Sequence, residues 1–529
     1  MGVGRRAVAV EVVDVVTALG GDLPKSYAAF VAGRVAFGLT KRFDTDGMRC
    51  RSGAFLDTDL SAAELLTSLV ERACPDGLTV DRAYVASCPD EPVPPLPAVV
   101  SRTGRSGGPG GWDRAYTGAC VASSSALIDA ASAVANGWAD SVLVAATRLV
   151  DRENFAIFDA GGALTTAERP FPHTTRRAGV LLGDGAAMFV LRAAAAPGRE
   201  VAHPRPRLQV CGWGRAGDGF HQYEPHPEGR GMADAVAKAL AVAGIPAGDI
   251  AVISVHGTGT RVSDTAEARA LSDIFGSPEQ VPPTHAPKGA TGHLLEAAGA
   301  VEAALLHEAM GRSEVPASPG ATPDNRLSPS VAVRTSPQRV RFGLSMNMAF
   351  GGSNTALVLS HPGYPAPGPA TPVRPGALVA TVPAVVDPEP VPGFMGSGFP
   401  PAVHSAAERC LTAAALTADQ LIRTAVILLT PDGDAENHRL VAEKLDSGSR
   451  IPPPLFVQGT PASILGRVAQ EWGLRQAHQT FAADQDPTHP DVRRIADELA
   501  ATDGCDAVLV VRHRCAGGAD AALFRYAAG

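Results

Sequence analysis

Apolar and β-branched runs, each bounded by glycine, proline or aspartate, recur through residues 7–360, and many lead into alanine-rich stretches with helical spacing. The runs at 7–13 (AVAVEVV), 83–87 (AYVAS), 141–146 (SVLVAA), 179–191 (GVLLG with AAMFVL), 208–214 (LQVCGWG), 251–255 (AVISV), 341–347 (RFGLSMN) and 355–360 (TALVLS) predict strands. Helical patterns run from Ala122 to Asn136, Gly231 to Ala243, Asp264 to Phe275 and Leu294 to Met310. Strands without polar alternation are buried on both faces, so the pattern predicts a layered α/β domain with mixed sheets between helix layers.

The pattern breaks after His361. Twelve of the 44 prolines fall between Pro362 and Pro401, in a stretch with little charge and no helical period. Proline at that density favours extended backbone, which predicts a linker over 362–402 between domains at 1–361 and 403–529. The last part opens with the amphipathic VHSAAERCLTAAALTADQLIR and continues through a strand at 424–430 (TAVILLT), a polar helix, a helix from about Asp491 to Ala501, and the strands DAVLVVRH and AALFRYA. It reads as a second, smaller α/β module.

Composition narrows the class. A chain of 529 residues, 45% hydrophobic and 19% charged, is neither a stapled mini-protein, a fibrous repeat nor a disordered tail, and has room for two to four domains. The net charge of −8 gives no global attraction to polyphosphate, so nucleic acid and anionic membrane are not expected partners. None of the eight cysteines forms a CxxC pair, which points to thiols rather than a disulfide framework or zinc site. Glu11 and Asp14 interrupt the N-terminal apolar run, Arg6 occupies the Ser/Thr position of a myristoylation signal, and no stretch reaches the roughly 20 apolar residues of a membrane span. A soluble, cytoplasmic protein is expected.

Four segments carry candidate chemistry. Cys120, in TGACVASSSAL, stands where a helix begins; the free N–H groups and dipole of a helix start favour thiolate and nucleophilicity near neutral pH. His256 follows the strand AVISV in HGTGT, at a strand end where α/β proteins place ligand contacts, with Thr258 and Thr260 offering hydroxyls. His293 lies in KGATGHLLEAAGA, five residues after Lys288; two imidazoles can donate to one oxyanion, and a cation can stabilise that charge or hold a histidine. In AFGGSN (349–354) paired glycines allow a backbone N–H to approach a substrate carbonyl. Taken singly, Cys120 reads more readily as a small core residue, and HGTGT equally well as a turn.

Together and in this order, TGACVASSSAL, HGTGT, KGATGHLLEAAGA and SMNMAFGGSNTALVL resemble the signature set of the β-ketoacyl synthases, over about Ala7 to Ser360. FDAGGALTTAERPFPHTTRRAGVLLGDGAA (158–187) resembles the family stretch that usually ends in GEGA, with Asp184 in place of Glu, and HGTGTRVSDTAEARAL adds the acidic Asp264 and Glu267. The resemblance implies a thiolase-like αβαβα fold, Cys120 as the acyl-accepting nucleophile, His256 and His293 as the pair for malonyl decarboxylation and condensation, and Lys288 as the active-site lysine. It also implies an oxyanion hole from the backbone N–H groups of Cys120 and Phe350, with Phe158, Thr258, Thr260, Met348, Gly351 and Gly352 around the substrate. No metal or intrinsic cofactor is implied: phosphopantetheine arrives on the substrate of an acyl carrier protein, and the enzyme works as a homodimer or as a heterodimer with a ketosynthase-like subunit. An acidic carrier would need a Lys/Arg patch near the entrance to Cys120.

Two departures stand out: Met348 occupies the place of a gating Phe, and the region from Cys74 to Thr117 is abbreviated and rich in Pro and Gly. In the C-terminal module, PASILGRVAQEWGLRQAHQTF resembles the segment leading to the nucleophile, with Gln485 or a near neighbour where the cysteine would fall. No HGTGT or GH loop follows, and Cys410, Cys505 and Cys515 are expected to be structural. The resemblance implies a degenerate ketosynthase N-terminal half without chemistry, whose sheet edge would need cover from the first domain or a partner of like fold. Two other functions remain open: an acyltransferase without decarboxylation, and a nonenzymatic partner like a chain-length factor.

Overall fold

A computed structural model describes residues 4–104, 108–194, 208–322, 324, 327, 331–364, 368–385, 387–515 and 517–527. Part of the Pro/Gly-rich 74–117 region (105–107) and parts of the expected linker (365–367 and 386) lie outside the described residues.

Strands β1 (Val8–Thr17), β2 (Arg82–Ala86), β3 (Arg114–Tyr116), β4 (Ser141–Arg148) and β5 (Gly185–Ala193) assemble in the order β1-β5-β4-β2-β3. β2 runs parallel to β3 and β4, and β5 antiparallel to β4 and β1. A second set, β6 (Gln209–Gly217), β7 (Ile250–Ser254), β8 (Thr284–His285), β9 (Phe342–Ala349) and β10 (Ser353–Ser360), takes the order β8-β7-β9-β10-β6. β1 meets β6 only through Val8 and Ala9, so the two sets form half-sheets joined at one corner.

Helices α1 (Ala62–Ala73), α2 (Ala122–Ala135), α3 (Arg152–Ala160), α4 (Arg230–Ala243), α5 (Arg261–Phe275) and α6 (Ala298–Arg312) are among those that pack with these strands. Every residue of α2 is buried, and α6 is buried from Ala298 to Leu306; alanine, serine and glycine on all sides let both half-sheets close over them. The apolar stripe of α1 (Leu65, Leu66, Leu69, Val70) packs on the outer face of the first half-sheet against Leu143, Met188 and Val190. α4 and α5 cover the second through Met232, Val236 and Leu271 against Ile253 and Leu344. The layers are helix, sheet, helix, sheet, helix, as the strand pattern predicted. GVLLG at 179–183 differs: Val180 and Leu182 make only isolated bridges, to Leu164 and His293.

The proline-rich stretch is more than a linker. Residues Ala377–Val385 form β11, at the outer edge of the sheet against the C-terminal strand, and α7 (Phe399–Ala414) begins ahead of position 403. Pro383 is tolerated because β11 is an edge strand whose register slips between Val382 and Val385. Beyond it come β12 (Thr424–Leu429), α8 (Pro454–Gln458), α9 (Ala462–Trp472), β13 (His478–Phe481), α10 (Pro490–Asp503), β14 (Ala507–His513) and β15 (Ala519–Arg525).

These strands repeat the first five. Their order outward is β13-β12-β14-β15-β11, and the senses match those of β3-β2-β4-β5-β1 pair by pair. The two sets meet antiparallel at Tyr116 and Phe481, so the first half-sheet continues into the C-terminal segment instead of ending in an open edge. Beneath this seam α10 crosses to α2. Arg215 binds Asp129 (2.7 Å) and Asp503 (3.1 Å), Arg114 binds Asp129 (2.9 Å) and Glu498, and all are buried. Such charges are tolerated there because each is paired.

Candidate active site

Cys120 follows β3 by four residues, in a tight turn where Ala119 takes the left-handed φ of 51° before α2 begins. Its sulfur lies 2.9 Å from His293 Nε2. The His293 backbone is fixed by exchange with the 181–183 segment: its N–H donates to Leu181 O (2.7 Å), and Gly183 N–H donates to its carbonyl (3.0 Å). The Leu295 N–H donates to His293 Nδ1 (3.3 Å), which leaves the ring proton on Nε2, facing Cys120.

His256 leaves the end of β7, as the sequence predicted, and its ring centroid is 5.6 Å from that of His293. Lys288, fully buried, spends its three N–H donors on His256 Nδ1 (3.2 Å), His256 O (2.6 Å) and Glu302 Oε1 (2.5 Å). The lysine therefore makes Nδ1 of His256 an acceptor and places that ring's proton on Nε2 as well. Burial, then the charge of Lys288, holds both imidazoles well below their ordinary pKa, so two neutral Nε2–H donors face the site at pH 7.

The cysteine departs from expectation. Burial pushes its thiol up to about 12, against the lowering effect of Lys288. The apolar setting outweighs the helix start, so the resting group is a thiol rather than the thiolate expected from sequence.

Three supporting residues, Glu302, Asn347 and His173, were not singled out from the sequence. Glu302, on α6, is the counter-charge of Lys288; burial pushes its carboxyl up to about 7, and it accepts from Asn347 Nδ2 (2.7 Å). A carboxylate inside the otherwise apolar run AAGAVEAALL was the available signal. His173 Nε2 binds Glu267 (2.8 Å), which also accepts the N–H groups of His256 (2.6 Å) and Gly257 (2.9 Å); Asp264 accepts those of Gly259 (3.0 Å) and His173 (2.6 Å). Asp264 and Glu267 thus staple the HGTGT loop. Asp184 is a structural staple too, ion-paired with Arg42 (2.5 Å).

Two cavities meet at Cys120. The larger, about 70 Å³, is lined by His256, His293, Thr258, Thr260, Met348 and Tyr223. The smaller, about 20 Å³, lies behind a cluster of Phe158, Phe350 and Phe456, with ring centroids 5.2 Å apart for each pair involving Phe456. Met348 lines the larger cavity, and Phe350, on the β9–β10 loop, lines both. Phe456 belongs to α8 and rests on Gly161, where a Cβ would lie 2.3 Å from its ring. Gly351 and Gly352 are not in the lining of either cavity; a Cβ on them would meet Ala462 and Asp218 respectively. Gln485 follows Phe481 by four residues, as Cys120 follows Tyr116, and lines a separate cavity of about 40 Å³ with Asp491 and Arg494. Cys410 and Cys505 are buried and Cys515 is exposed.

Comparison with known proteins agrees with this geometry. Residues 108–196 match the β-ketoacyl synthase N-terminal domain and residues 208–322 the C-terminal domain. The chain is 30% identical over 252 residues to 3-oxoacyl-[acyl-carrier-protein] synthase 2 of Staphylococcus aureus, covering 45% of this chain and 59% of that protein. It is 31% identical over 272 residues to the mitochondrial 3-oxoacyl-[acyl-carrier-protein] synthase of Arabidopsis thaliana, covering 47% and 56%. The chain thus spans little more than half the length of these relatives. Its fold is similar to the PfaC keto synthase-chain length factor structure, with a TM-score of 0.79 at 14% identity, over 98% of this chain and 78% of that one.

Proposed function

We propose that this chain is a member of the β-ketoacyl synthase family, whose N- and C-terminal domain models match residues 108–196 and 208–322, and that it joins an acyl thioester to a malonyl-type thioester by decarboxylative Claisen condensation, in fatty-acid-like or polyketide assembly. The observation that carries the proposal is the convergence of Cys120, His293, His256 and Lys288 in one buried site.

In the first half-reaction the Cys120 sulfur attacks the acyl carbonyl. The new C–S bond forms, the bond to the pantetheine sulfur breaks, and the cysteine proton leaves on the pantetheine thiol. The backbone N–H groups of Cys120 and Phe350 take the oxyanion charge. In the second, the malonyl thioester carbonyl accepts from Nε2–H of His256 and His293. Carbon dioxide departs, its bonding pair becomes an enolate held by those donors, and the enolate carbon attacks the acyl-cysteine. The Cys120 sulfur is released and takes a proton from water. Neutral imidazoles suit this role because they meet a charge that develops only during reaction. The chemistry asks for no metal or redox group; phosphopantetheine arrives with an acyl carrier protein, for which the exposed Arg261 beside Thr260 is a docking charge.

Simple acyl transfer would need one base; two imidazoles with matched tautomers favour condensation. The C-terminal segment acts as a half-subunit of like fold supplied in cis: the repeated strand order and the contribution of Phe456 to the pocket support that role over a separate partner at this face. Among the described residues no helix is long and apolar enough to cross a membrane.

Carbon dioxide release from malonyl-pantetheine, followed together with β-ketoacyl product, tests the assignment. His293→Ala should lower both by about a thousandfold while Cys120 still accepts an acyl group; equal loss of acylation would contradict the division of roles.

A further inference from the structure

We propose that the acyl pocket takes a short acyl group whose far end is a hydrogen-bond donor, an amine or a hydroxyl, and that Glu296 and Asp90 select it. The proposal rests on Cys120 being the acyl acceptor.

The cavity behind the three phenylalanines holds about 20 Å³, room for only a few heavy atoms beyond the thioester. Its inner wall is not apolar: Asp90, Thr117, Asn154 and Glu296 line it together with Cys120. Asp90 follows the C-terminal end of β2, and Glu296 lies three residues beyond His293. The Asp90 side chain is 10% exposed and that of Glu296 5%. Glu296 Oε2 and Thr117 Oγ1 are buried without a hydrogen-bond partner.

Behind this wall Arg148 ends β4, with its side chain 1% exposed. It lies 3.4 Å from Glu296 and 3.6 Å from Asp151, and its guanidinium makes no hydrogen bond. One guanidinium thus stands among Asp90, Glu91, Asp151 and Glu296, with His438 3.8 Å from Asp90 on the outer side. Burial pushes the carboxyls of Glu91 and Glu296 up, and that of Asp90 to about 8. Four carboxyls share this one guanidinium, so carboxyl oxygens outnumber the cationic N–H groups that face them. An alkyl terminus would leave Glu296 Oε2, held only by its ion pair with Arg148, and Thr117 Oγ1 without a hydrogen bond against hydrocarbon, whereas a donor terminus supplies one, and buried sites discriminate strongly on that difference.

Three near-isosteric donors test this on the full chain: 3-aminopropanoyl-, 3-hydroxypropanoyl- and butanoyl-pantetheine, competed for Cys120 and read by intact mass. The amino or hydroxy donor should load at least about tenfold faster than butanoyl, and E296Q combined with D90N should cut that preference at least fivefold. Butanoyl loading as fast as both overturns the proposal. So does a variant that slows all three equally with the preference intact, since that is the signature of a structural cluster. No adduct with any donor overturns the condensing reading itself, and this proposal with it.

Discussion

Gly466 of α9 lies against Gly351 of the loop that carries Phe350: a Cβ on Gly466 would come within 2.7 Å of Gly351 Cα. In the other direction, a Cβ on Gly351, whose φ is 85°, would lie 2.4 Å from the Ala462 carbonyl oxygen. Neither position has room for a side chain, so the C-terminal segment constrains the loop that carries Phe350.

Gly466→Ala should therefore displace the loop. The expected result is a fall of about ten- to a hundredfold in the rate of Cys120 acylation, since small misplacements at a reacting centre cost that much, with a stability loss of about 1–3 kcal/mol from overpacking. Acylation kinetics and thermal unfolding of the same sample check both.

A thiol pushed up to about 12 has a simple signature. Alkylation of Cys120 by iodoacetamide should rise about tenfold per pH unit through pH 9 without levelling, because the thiolate fraction keeps growing below the pKa. A plateau near pH 8 would mean the helix start and Lys288 outweigh burial. Both imidazoles sit well below 6.5, so condensation should not fall as pH drops from 7.5 to 6.5 through protonation of His256 or His293.

Lys288 and Glu302 form one buried pair. Lys288→Met alone should destabilise by about 3 kcal/mol, by stranding Glu302. Adding Glu302→Gln should restore part of that stability but none of the condensation activity, because the donor that orders His256 is still missing. Denaturant unfolding and product assays separate the two effects.

At the seam, Asp503→Ala removes one of the two carboxylates on Arg215 and leaves Asp129. A loss of about 3 kcal/mol is expected in denaturant unfolding. A variant as stable as the parent would show that the C-terminal segment is not held through this pair.

Much of this was legible in the chain. Motif spacing singled out Cys120, His256, His293 and Lys288, which the fold brings together, because local residue types mark the points where a strand or loop turns toward a helix. The layers followed from apolar runs such as AVISV. What escaped depended on contacts remote in sequence. β13 is polar at His478, Gln479 and Thr480, so no periodicity announced a strand that pairs with Tyr116. β11 was hidden by prolines that only an edge strand tolerates. Phe456 lines the pocket across almost 300 residues of sequence from Phe158, and the low thiolate character of Cys120 reflects burial that no local motif encodes.

Two-step intact-mass analysis of the full chain tests the central claim most directly. With an acyl carrier thioester, the protein should gain one acyl mass, located on Cys120 and absent in Cys120→Ala. Addition of malonyl carrier should then discharge it as a β-ketoacyl thioester with release of carbon dioxide. Discharge without condensation product, or no adduct from a competent donor, would contradict the account.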